Sequence, residues 1–391
     1  MRVLFWRKDL FQEAGLDPDR PPQDWEELYQ YARKLSDPAR NRYGMNMTSG
    51  THASWDFMAF LWSAGGEAVV KNEEGDWVAS YGSREAAKAL DFYTKLATEE
   101  WIDPDGKKQR GYTVLSAPAS DSGANAWQEG RVGMNVDYMD SKQMGGHIDS
   151  SLIGIGPFPP MVKGEKSGTE LNAIMGGIFS GIEGRNNSEG EWVSAEVIRD
   201  AAWKYLSFMN SDEANQIRAN VLVENGMGRM LSPLWLKKYG FQEYLKYFPE
   251  EFEKVYEDAV ANGKPEPYGR NCQMVYSYMT EPLDAAMQIA RDGEMPVDDE
   301  ERLTLMQKLL QQSANKTTIQ MIGKLSPEER ARRNSWAVVV AICICAIFCF
   351  ALYKIWLIFS PKDNFSGKRR GWEFRKNALG YLIMIPALIS I

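Results

Sequence analysis

Aromatic rings and hydrogen-bonding side chains are the groups in this chain with chemistry to offer. It carries 13 Trp, 17 Tyr and 16 Phe among 391 residues. Flat ring faces stack on sugar rings, while neighbouring carboxylates and amides bind the hydroxyls. Trp55, Trp127 and Tyr138 fall near predicted loop edges and are the leading stacking candidates; the core is the alternative place for any of these rings. Catalytic motifs are missing: there is no HExxH, no GxSxG and no GxxxxGK followed by Ser or Thr. The acidic pairs Glu26-Glu27, Glu99-Glu100, Glu250-Glu251 and Asp298-Asp299 read as solvated faces, not as the paired carboxylates of a glycosidase. His52 and His147 are far apart, so neither a His-rich metal site nor any cofactor is expected.

Short strands and amphipathic helices must position these residues. Asp24, with Glu27 three residues on, caps a helix carrying Trp25, Leu28, Tyr31, Ala32 and Leu35. Arg42 to Met47 reads as a strand. Ser54 is expected to cap a helix holding Trp55, Met58, Leu61 and Trp62, stopped by Gly65-Gly66. Ser83 caps a strongly periodic helix to Thr98, and Trp127 to Asp137 reads as a turn followed by a strand. Ile153 to Pro160 and the Gly-rich Ile174 to Ile182 also read as strands. Helices are expected over Ser194 to Met209, from Asp212, and over Pro233–Tyr247, Glu251–Asn262, Tyr278–Asp292 and Asp298–Ala314. The interspersed pattern predicts a helix-rich α/β protein of two lobes.

Trp336 to Phe359 is an apolar run with one charge, Lys354. As a helix it extends about 36 Å, enough to cross a hydrocarbon core of about 30 Å. Three of the four cysteines, Cys343, Cys345 and Cys349, lie inside it and read as small lipid- or helix-facing residues, not metal ligands. Cys272 stands alone in the preceding part, so no disulfide forms there. Lys362, Lys368, Arg369, Arg370, Arg375 and Lys376 follow the run, against Lys324, Arg330, Arg332 and Arg333 before it. This bias puts the C-terminal flank in the cytoplasm and the large domain outside. Met1 to Asp9 has no signal-peptide pattern, so an outside domain implies export sequence upstream of this chain. The net charge of −8 excludes a basic nucleic-acid face.

Residues 5–45, FWRKDLFQEAGLDPDRPPQDWEELYQYARKLSDPARNRYGM, resemble a segment of extracytoplasmic solute-binding proteins of the sugar type, the maltose-binding-like group. WDFMAFLWSAGGEAV (55–69), WQEGRVGMNVDYM (127–139), IMGGIFSGI (174–182), AAWKYLSFMNSDEANQI (201–217) and NGMGRMLSPLW (225–235) are similar to further family segments, in the family's order. The resemblance implies a two-lobed, periplasmic-binding-protein-like (type II) fold with ligand in the cleft, lacking the start of lobe one. It also implies that Trp62 sits at an aromatic position before a glycine pair and that Asp137 ends a strand facing ligand. Gly176 and Gly177 would be cleft-edge glycines, and Arg229 the basic residue after a glycine turn. Where the family often has an aromatic three residues beyond Asp137, this chain has Asp140. RRGWEFRKNALGYLIMIPALI (369–389) is similar to the start of sugar-type ABC permease subunits.

The expected organisation is therefore a solute-binding domain over 1–315, a charged connector over 316–335 and a transmembrane helix over 336–359. A basic cytoplasmic segment over 360–377 and the start of a second span over 378–391 follow. Expected partners are a carbohydrate or related small solute, an ABC permease subunit with its cytoplasmic ATPase, and membrane lipid. A ligand-sensing receptor ectodomain and a membrane-anchored extracellular glycosidase are the alternatives. Further spans after residue 391 would favour the importer over the sensor, and hydrolysis of a glycoside panel would favour the glycosidase.

Overall fold

The computed structural model describes residues 1–116, 126–139, 148–172, 176–323 and 327–359. The fold is mixed α/β. In chain order the strands are β1 (Arg2–Arg7), β2 (Tyr43–Met45), β3 (Val69–Lys71), β4 (Trp77–Ala79), β5 (Glu100–Ile102), β6 (Lys108–Arg110), β7 (Val132–Tyr138), β8 (Ile153–Gly156), β9 (Glu170–Leu171), β10 (Arg185–Asn186), β11 (Trp192–Val193) and β12 (Lys264–Pro265). The helices are α1 (Lys8–Glu13), α2 (Trp25–Leu35), α3 (Ala53–Ser63), α4 (Arg84–Thr98), α5 (Ala195–Met209), α6 (Asp212–Glu224), α7 (Pro233–Lys238), α8 (Phe252–Asn262), α9 (Met274–Arg291), α10 (Asp299–Ile322) and α11 (Pro327–Phe359).

A four-stranded sheet, ordered β2-β7-β1-β8, organises the first part. β1 runs antiparallel to both neighbours, with Arg2 opposite Tyr138 and Trp6 opposite Gly154. Its apolar run is buried on both faces. Leu4 and Trp6 join a large cluster with α2, α3, α4, α9 and α10, whereas Val3 and Phe5 join a second cluster with Leu236, Phe252 and Val255. Val3, Leu4 and Phe5 are fully buried, and each such side chain contributes about 1.5–3 kcal/mol. A Cβ on Gly154 would overlap the Trp6 ring, so the register of β8 on β1 requires glycine there.

Local chemistry sets most helix starts. The side chains of Asp24, Ser83, Ser194, Ser211, Ser232 and Asp298 accept from the backbone N–H groups that open α2, α4, α5, α6, α7 and α10. Ser54 does not cap α3: a 3-10 turn over Gly50–His52 runs straight into the helix, leaving Ser54 buried in its first turn. No strand forms over 176–182; that stretch is mostly exposed, and no strand among the described residues pairs with it. α10 continues past the expected Ala314, because Thr317 and Met321 are buried in the core.

The chain divides into two compact units, Met1–Gly323 and Lys324–Ile391. In the second unit Arg330–Lys354 is long and apolar enough to cross a membrane, by length and composition. The expected basic segment and second span lie outside the described residues, as do Asp140 and His147.

Candidate functional site

A buried charge cluster forms where β1, β7, β9, α3 and α9 meet. Arg2 opens β1 and is 7% exposed. Its guanidinium pairs with Asp56 of α3, lies 3.2 Å from Glu170 Oε2 and stands 4.7 Å from the centre of the Tyr138 ring. Asp56 Oδ2 accepts from the Thr48 backbone N–H (2.9 Å) and hydroxyl (2.5 Å). Glu170 is fully buried in β9. β9 reaches this place because Gly168 lies against α3, where a Cβ would sit 1.9 Å from the Ala59 carbonyl oxygen.

Parallel pairing of β9 with β12 brings Glu266 to the same place: Lys264 N–H donates to the Thr169 carbonyl and Glu266 N–H to that of Leu171. The Asn172 amide donates to the Tyr138 hydroxyl (3.1 Å) and to Glu266 Oε1 (3.0 Å). The Tyr276 hydroxyl donates to the same oxygen at 3.2 Å. The Tyr276 ring meets Trp55 at a tilt of 46° with ring centres 4.8 Å apart, and Trp55 also meets His52. Every other residue of α3 is buried; Trp55 is partly exposed. Among the described residues, Trp55 Nε1, Arg2 Nε and both Glu170 carboxyl oxygens are buried without a hydrogen-bond partner.

The electrostatics follow from burial. Burial pushes the Glu170 carboxyl up to about 8, helped by Glu266 and opposed by Arg2. Burial, then the charges of Glu170 and Glu266, raises the Tyr276 phenol. Burial and Glu170 raise Tyr138, with Arg2 acting the other way. The arrangement offers partly exposed ring faces beside amide, hydroxyl and carboxyl groups, the combination that binds hydroxylated solutes. Glu266 also lines a cavity of about 190 Å³ with Trp62, Trp77, Lys264 and Tyr268. That is smaller than the roughly 300–1,000 Å³ of a drug-sized ligand site and suits a small solute.

Of the residues singled out from sequence, Trp55 and Tyr138 come together in this cluster. Trp62 is 4% exposed and packs in the large core, touching only the adjoining cavity. Trp127 is a core ring as well, edge-on to Phe5 in the second cluster. Asp137 accepts from the Tyr138 N–H and occupies the neighbouring β7 position, paired across the sheet with Val3. Gly176 and Gly177 are exposed, and a Cβ on Gly176 would meet Leu206, away from the cluster. Arg229 stands exposed on a 3-10 turn over Gly228–Met230. Sequence reasoning did not single out Arg2, Asp56, Glu170, Asn172, Glu266 or Tyr276. One signal was available: an arginine opening a strand otherwise buried on both faces must bring a carboxylate with it.

Residues 1–216 match the model of the bacterial extracellular solute-binding protein family. The chain belongs to this family. It is a family of solute-binding proteins, not of enzymes, and its binding domain is extracytoplasmic. The chain is 28% identical over 132 residues to the mannitol-binding protein of Pseudomonas aeruginosa, covering 33% of this chain and 29% of that protein. It is 23% identical over 214 residues to a probable amino-acid ABC transporter periplasmic-binding protein of Sinorhizobium fredii, covering 54% and 42%. The chain thus spans under half the length of these curated relatives. Among solved structures, a solute-binding protein of Thermotoga lettingae bound with α-D-tagatose superposes with a TM-score of 0.49 at 20% identity, over 80% of this chain and 70% of that one. Maltose-bound MalE3 of T. maritima gives 0.49 at 19% identity, over 79% and 70%.

Proposed function

We propose that this solute-binding protein is a membrane-tethered component of an ABC importer that captures a carbohydrate or polyol and delivers it to a permease joined to the same chain. The observation that carries the ligand class is the Trp55–Tyr276 ring pair beside Tyr138, Asn172 and Glu266. Ring faces take the apolar side of a sugar, and the amide, phenols and carboxyl take its hydroxyls. Trp55 and Tyr138 are the proposed contacts. The remaining sequence-derived candidates, Trp62, Trp127, Asp137, Gly176, Gly177 and Arg229, would act by supporting this face or by lining the cleft of a two-lobed protein.

The apolar α11 and the basic residues beyond it support the tether, with the binding domain outside. Tethering raises the local concentration at a permease to about millimolar, so weak docking is enough for delivery. Isothermal titration of the full chain in detergent against hexoses, hexitols, disaccharides and glycerol phosphates tests the ligand class. Heat on adding a hexose or hexitol that disappears in Trp55→Ala supports the reading. A response to none of the saccharides or polyols refutes it.

A further inference from the structure

Glu170 has no use as a charged group where it stands. It is fully buried, and neither carboxyl oxygen has a hydrogen-bond partner among the described residues. Across the β9–β12 pairing Lys264 stands opposite it, and a second carboxyl, Glu266, follows two residues on, held by Asn172 and Tyr276. Two carboxylates cannot bond to one another; a carboxylic acid and a carboxylate can. The cation at hand, Arg2, is already committed to Asp56, and its approach to Glu170 at 3.2 Å lacks hydrogen-bond alignment.

The groups facing Glu170 are few. From β1 comes the Arg2 guanidinium, from β7 the Tyr138 phenol, from α9 the Tyr276 phenol, and from the β12 end Glu266. Asp56 of α3 faces it through Arg2. Three carboxyls thus gather around one guanidinium, and Glu170 is the one among them with no exposure at all.

We propose that Glu170 is a neutral carboxylic acid at neutral pH, donating its proton to Glu266 and so positioning the Asn172–Glu266–Tyr276 rim. Glu170 is then a positioning residue: it touches Glu266, and Glu266 holds the amide of Asn172 and the phenol of Tyr276. Loss of the proton sets two carboxylates against each other and loosens the β9–β12 pairing. The role of this rim in ligand capture rests on the binding reading above; the proton does not.

In the unfolded chain a glutamate titrates near 4.5, whereas Glu170 titrates at about 8 in the folded protein. Between those values the folded protein holds a proton that the unfolded chain has released. The stabilisation is complete below 4.5 and is lost as the pH climbs to about 8.

The test uses the full chain in detergent without ligand, so it stands or falls independently of any sugar titration. Thermal unfolding is followed from pH 5 to 9 for wild type, E170Q and E266Q, together with hydrogen exchange of peptides covering 170–172 and 264–266, corrected for base catalysis. Glutamine keeps the shape and a donor toward Glu266, so E170Q mimics the protonated state. The wild-type midpoint falls by about 2–4 °C or more over this range and the E170Q midpoint stays level. Exchange at the two strands quickens above pH 8 in wild type and not in E170Q. In E266Q the like charge is gone and the fall moves to lower pH. Parallel pH profiles for wild type and E170Q, or exchange at these strands that ignores pH, overturn the proposal. Should E170Q fail to fold, the infrared acid-carbonyl band of wild type decides: a band titrating near pH 8 and displaced in E266Q supports the proposal, and its absence at neutral pH overturns it.

Discussion

Two stretches with similar aromatic content meet different fates. In α3 the aromatics Phe57 and Phe60 are at most 1% exposed, interlocked edge-on with Tyr93. In α5 no residue is buried, and Trp203 and Tyr205 are each 63% exposed; Phe179 and Trp192 nearby are exposed too. Both helices formed: α5 has a serine cap and apolar periodicity, and a helix needs only its own backbone bonds. Burial needs a second surface, and among the described residues α5 has none comparable to the sheet and helices enclosing α3. The lesson is that helix formation and helix packing are separate achievements in this chain, and that stability resides in the packing.

Substitution can break this contrast. The largest effect is expected for Phe57→Ala, which empties a fully buried ring position and should cost about 3–5 kcal/mol in denaturant unfolding. Arg2→Met belongs to the same class: it strands the buried Asp56 carboxylate without its cation and should cost about 3–5 kcal/mol. A smaller loss, about 1 kcal/mol, is expected for Ser83→Ala, which removes the cap of α4. Trp203→Ala should stay within about 0.5 kcal/mol despite the size of the side chain. A loss at Trp203 matching that at Phe57 would mean that α5 is packed after all. Amide exchange sharpens the same comparison: α5 should exchange through local opening well before α3 and α4.

Much of the scaffold was legible in the residues. Asp24, Ser83 and Ser194 announced their helices, because a cap is decided within three residues. The strand ending near Asp137 was legible from its apolar run. Where reading failed, something distant intervened. A 3-10 turn displaced Ser54 from its cap, buried threonine and methionine extended α10, and 176–182 found no strand among the described residues to pair with. The candidate site was legible only through Trp55 and Tyr138, whose type and loop-edge position pointed to ligand contact. Trp62 and Trp127 carried the same signal and went to the core, because a ring's type does not say which of its faces is covered.

The sequence by itself determined the class of protein: an acidic α/β solute-binding chain with an apolar helix of membrane length after it. Composition, periodicity and ordered family segments are properties of neighbouring residues, and they survive without a fold. Only the tertiary structure decided which carboxyls meet Arg2. Asp56 lies 54 residues from it in sequence, and Glu170 arrives on β9, a strand held by parallel pairing with β12. Burial then removes the water that would have kept the Glu170 carboxyl charged, so the proton proposed for it belongs to the folded assembly and not to any segment of the chain.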